Sequence, residues 1–118
     1  MMALTRTNKP MNARAARLEA EIASLEAEFR RKLVAALRDC ANGRWGLFGQ
    51  NDHVQEAYSR EVEELLELGA SIEELRRKVG ISEPFELYDA FRAKRGWKGE
   101  NALGEPRLAK EWLNELEE

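Results

Sequence analysis

The chain has one cysteine, one histidine, three prolines and no long apolar run in its 118 residues. Each scarcity excludes something. A single Cys40 cannot close an intrachain disulfide, so an oxidising compartment is not implied. Cys40 and His53 alone cannot supply the ligands of a zinc site, and no Glu-x-x-His pair is present for a di-iron bundle. No metal and no cofactor is therefore expected. No segment is apolar for long enough to span a bilayer, and none follows the N-terminal basic residues as a secretory signal would. The expected setting is the cytoplasm, without membrane contact. Alternation of apolar and polar residues with period two is missing as well, and so are tandem repeats, which removes the β classes and the solenoids.

What remains is helical in style. Hydrophobic residues make up 43% and charged residues 35%, a mixture that suits one helical domain with a large solvated surface. The net charge of −3 conceals an asymmetry. Residues 1–50 carry nine Lys/Arg against five Asp/Glu, and residues 51–118 carry ten against seventeen. Halves of opposite sign attract each other, within one chain or across a dimer. The acidic balance also makes nucleic acid an unfavoured partner.

The periodicity predicts an all-α bundle of four to five helices around a long N-terminal helix. Residues 1–11 read as a flexible tail and residues 12–118 as a single helical domain. The first helix is expected from Asn12 to Ala41, stopped by Asn42-Gly43. Its stripe is Leu18, Ile22, Leu25, Phe29, Leu33, Ala36 and Cys40, flanked by Leu37. Leu18 to Phe29 and Phe29 to Cys40 repeat every eleven residues, which favours a nearly straight helix in a bundle over a long coiled coil. Leu18 to Phe29 alone also fits a heptad.

All eight glycines read as punctuation between helices. A second helix would run from an Asp52 cap to a stop before Gly69, burying Val54, Tyr58, Val62, Leu65 and Leu66. A short third would open on the capping box Ser71-Ile72-Glu73-Glu74 and stop at Gly80. A fourth, capped by Ser82, would carry Phe85, Leu87, Tyr88 and Phe91. A fifth, from Glu105 to about Leu116, would present Leu108, Trp112 and Leu116. The first helix outreaches the others, so part of its stripe needs a cover, and a second copy of the chain supplies it. A homodimer is the expectation.

The most distinctive string is Gly43-Arg44-Trp45-Gly46-Leu47-Phe48-Gly49-Gln50-Asn51-Asp52-His53. Its GxxGxxG spacing follows a helix, so it is neither a P-loop nor a dinucleotide fingerprint. Two readings compete. As a recognition loop for a protein partner, Trp45 and Phe48 would supply contact area, and Arg44, Gln50, Asn51 and His53 polar contacts. As a fold-back loop, Trp45, Leu47 and Phe48 would plug the end of the bundle while the glycines permit the turns.

Other chemistry is thinner. A Cys40–His53 pair invites a thiol reading, but Cys40 lies on the apolar stripe, where a thiol is inert packing. The Glu61, Glu63, Glu64 and Glu67 cluster lacks a calcium-loop spacing and reads as a solvated face. Residues 71–95 have a helix-turn-helix outline around Gly80-Ile81-Ser82. Arg76 stands where such units need a small residue, however, and Glu83, Glu86 and Asp89 would face phosphates badly. Function is thus expected to be non-enzymatic protein–protein interaction. The alternatives are a DNA-binding regulator using residues 71–95, and an enzyme or small-molecule binder built on Arg44, Asn51, Asp52 and His53.

Overall fold

A computed structural model describes residues 9–44, 46–48, 58–95 and 104–117. It contains four α-helices: α1 (Lys9–Ala41), α2 (Ser59–Lys78), α3 (Glu86–Arg95) and α4 (Gly104–Glu117). Among the described residues there is no strand. The protein is all-α.

Helix α1 begins three residues earlier than its periodicity indicates, and ends where expected. Gly43 takes φ +110° and closes a Schellman cap. Its N–H donates to the Cys40 carbonyl at 2.9 Å, and the Arg44 N–H to the Asp39 carbonyl at 3.1 Å. Gly80, at φ +84°, ends α2 in the same way, with the Ile81 N–H donating to the Arg76 carbonyl at 2.9 Å.

Helices α2 and α4 both pack on α1, and α3 rests on α2. Ion pairs give the direction of α2: Arg44–Glu61 at 3.7 Å, Lys32–Glu64 at 3.5 Å and Glu26–Arg76 at 2.7 Å. It therefore runs antiparallel to α1. The stripe of α1 buries Ile22, Phe29, Leu33, Ala36, Leu37 and Cys40, while Leu18 and Leu25 are half-buried. Phe29 lies at the centre, its ring edge-to-face with Phe85, Tyr88 and Phe91.

Over the described residues 59–78 one helix stands where parts of two were expected. Helix α2 passes straight through Gly69 and the supposed capping box. Leu65 and Ile72 keep the helical period across the glycine, and both are buried. Gly69 is buried too, and a Cβ built on it would fall inside the Tyr88 ring, against Cδ1, Cε1 and Cγ. The glycine lets α3 approach; it does not end a helix.

The α2–α3 connection corrects two further expectations. Ser82 is exposed, and α3 starts at Glu86. The Phe85 carbonyl accepts from the Asp89 N–H at 3.1 Å, and the Phe85 N–H donates to Glu73 Oε2 at 3.0 Å. A carboxylate from α2 thus satisfies the entry to α3. Arg76 completes the corner. Its guanidinium pairs with Glu26 on α1 and donates to the Glu83 carbonyl at 2.8 Å and the Pro84 carbonyl at 3.4 Å. With the Arg76 side chain only 16% exposed, these are charge-assisted bonds in a mostly dry corner. Arg76→Ala should cost about 2 kcal/mol in denaturant unfolding. Arg76→Lys should recover little, because an ammonium cannot fork across three acceptors.

Candidate functional site

The end of α1, the turn after it and the start of α2 form one structural unit. Gly46 sits at φ +119° and, with Gly43, turns the chain back over the end of the bundle. Leu47 and Phe48 then enter the core, Phe48 at 2% exposure with its ring centroid 6.2 Å from that of Trp112. The Leu47 carbonyl accepts from Arg95 Nη1 at 2.6 Å, which ties the turn to α3. For Leu47 and Phe48 the fold-back reading holds. Phe48, expected among the contact residues, is corrected to core.

Arg44 is exposed and occupied. Its guanidinium lies 4.4 Å from the centroid of the Tyr58 ring, with Asp39 at 3.2 Å and Glu61 at 3.7 Å. The Tyr58 hydroxyl donates to the Arg44 carbonyl at 3.1 Å. This cluster staples the end of α1 to the beginning of α2. Trp45, Gln50, Asn51, Asp52, His53 and Val54 lie outside the described residues.

Tyr58 is fully buried. Burial raises its phenol well above the ordinary value near 10; Cys40 reinforces the shift and Arg44 opposes it. The folded phenol therefore keeps its proton when the unfolded one has lost it. Stability from this source is present below pH about 10 and is lost as the pH rises further. Melting temperature should fall with pH above 10, and Tyr58→Phe should flatten that fall relative to the parent chain.

Cys40 is buried in the core as part of the α1 stripe. Glu61 and Glu64 pair with bases, while Glu63 and Glu67 are exposed. Among the described residues no group of three or more His, Cys, Asp or Glu side chains could hold a metal ion. No described helix is long and apolar enough to cross a membrane.

In the 71–95 segment, seven residues separate α2 from α3, more than the three or four of a helix-turn-helix turn. Most of the bases there, Lys78 excepted, are engaged within the chain. Arg77 pairs with Glu74 and Arg92 with Asp89, while Lys94 lies over the Trp112 ring. Matched against family models, curated proteins and solved structures, the chain finds no counterpart.

A groove of about 550 Å³ between α1 and α3 is not encoded in the apolar periodicity. Ala23 and Ala27 floor it, Phe85, Leu87 and Ala90 form its apolar wall, and Arg30 and Glu86 stand on the rim. One signal could have pointed to it. Alanines at 13, 16, 20, 23 and 27 recur at spacings of three and four, on a different side of α1 from its buried stripe.

Proposed function

We propose that this is a non-enzymatic interaction protein whose first partner is a second copy of itself. The observation that carries the reading is the uncovered first half of α1. That helix has 33 residues, against 20, 10 and 14 in the others. Glu26 already stands level with Arg76, near the end of α2. From Ala13 to Glu21 no residue is buried, although Ala15 and Leu18 continue the line of Ile22 and Leu25. An apolar edge on a projecting helix favours association, and a symmetric dimer covers it on both chains with one patch.

The turn after α1 has a different part in this account. With Phe48 in the core and Arg44 held by Asp39 and Glu61, it closes the bundle, and the contact surface moves to the helices. Light scattering on the intact chain tests the proposal. The expected particle has twice the chain mass of 13.5 kDa. A single-chain mass throughout the micromolar range would contradict it.

A further inference from the structure

The bundle covers the stripe of α1 only as far as Ile22, which is 4% exposed. Towards the N-terminus Leu18 and Ala15 keep the same line at spacings of four and three, half-buried and outside the core cluster. Charges flank this uncovered stretch. At about 100° per residue, Arg14 and Glu21 lie roughly 70–90° round the helix from the line, both on one flank. Glu19 lies about 70° round on the other. Arg14 and Glu21 are exposed, and among the described residues neither makes an ion pair. One turn on from Arg14 the chain offers only Arg17 and Leu18, so an acid for it must come from elsewhere.

The shape of the chain sets the direction of a second copy. Helix α2 packs on α1 and reaches Glu26 through Arg76. A parallel copy would bring its own bundle to the same level on the same side. With α2 between them, the two α1 helices could not close to the roughly 8–10 Å of packed helices. An antiparallel copy sends the two bundles to opposite ends and leaves the line open. Like flanks then meet, because the two-fold axis is perpendicular to the helices.

Charge sets the register. With Ala15 opposite the partner's Leu18, a small side chain meets a large one in each of two layers, and Arg14 faces the partner's Glu21 twice over. The other flank sets no acid against an acid. Sliding by one heptad in one direction puts Arg14 against the partner's Arg14. Sliding in the other puts Glu21 against the partner's Glu21, and needs Ile22, which its own chain already buries.

We infer that a second copy of the chain docks antiparallel on the Ala15–Leu18 edge of α1, held in register by Arg14 and the partner's Glu21. The inference rests on the self-association reading and adds its direction, its register and its charged pair.

Sedimentation equilibrium of the full chain, of Arg14→Glu, of Glu21→Arg and of an equimolar mixture of the two variants tests it. Each variant alone makes both pairs repulsive and should weaken the dimer at least about tenfold. The mixture should recover the parent's affinity as a heterodimer, because both of its pairs are again of opposite sign. Both positions are exposed, so helical content and melting should change little. A monomeric parent chain overturns the self-association reading itself. If the parent and both variants dimerise equally tightly, that reading stands and this seam is wrong. If only Arg14→Glu weakens the dimer, the helices run parallel, with Arg14 facing the partner's Glu19, and the inference fails. Weak variants with no recovery in the mixture overturn the pairing.

Discussion

Gly69→Ala should destabilise the protein by about 3 kcal/mol, against the usual gain for this exchange inside a helix. Alanine normally improves a helix interior by about 1 kcal/mol over glycine. Here the new methyl would occupy the Tyr88 ring, and relief requires that ring to move. Tyr88 cannot give way easily. It is 7% exposed, stands edge-to-face with Phe29 at 6.0 Å, and is covered by Arg92 at 4.5 Å from its centroid. A loss of that size is a large fraction of the stability of an ordinary small domain. The sign should reverse in a Tyr88→Ala background, where Gly69→Ala becomes neutral or stabilising by up to about 1 kcal/mol. Urea unfolding of the four chains measures the coupling. An additive cycle would mean that α3 does not lie on Gly69.

Phe29→Ala should cost about 4 kcal/mol, within the range for deleting a fully buried aromatic ring. Phe29 has no exposed surface, and its ring meets Phe85 at 5.2 Å and Phe91 at 6.3 Å in addition to Tyr88. These rings come from α3 and the residue just before it, so the cavity would open between α1 and α3. The surrounding aromatics are too rigid to collapse into it. Phe29→Leu, which keeps much of the volume without the edge-to-face contacts, should lose roughly 1–2 kcal/mol. Equal losses for Ala and Leu in denaturant unfolding would place the ring outside a packed cluster.

Helix α1 was legible because three local signals agree: an alanine-rich composition, a continuous apolar stripe, and Gly43 in a cap that needs positive φ. Gly80 was legible for the same reason. Gly69 misled because a glycine that admits a neighbouring ring looks, in sequence, like one that stops a helix. Only the register of Leu65 and Ile72 across it distinguishes the two. Glu73 and Ser82 misled differently. Both satisfy a local capping pattern, yet the entry to α3 is bonded by Glu73 from twelve residues away, which no local pattern encodes.

The candidate site was legible only in part. Glycines in the 43–49 string announced tight turns. The direction of Phe48 depends on Trp112, which α4 brings from far along the chain. The alanine face was visible as composition. Its junction with a groove depends on where Phe85 and Leu87 dock, a tertiary matter.

Hydrogen–deuterium exchange on the intact chain, at two concentrations on either side of the association midpoint, tests the central claim most directly. A dimer built on the projecting first half of α1 predicts slower exchange at the higher concentration over residues 13–21. Exchange that is independent of concentration there, or that slows only around residues 42–48 and 58–64, would contradict it.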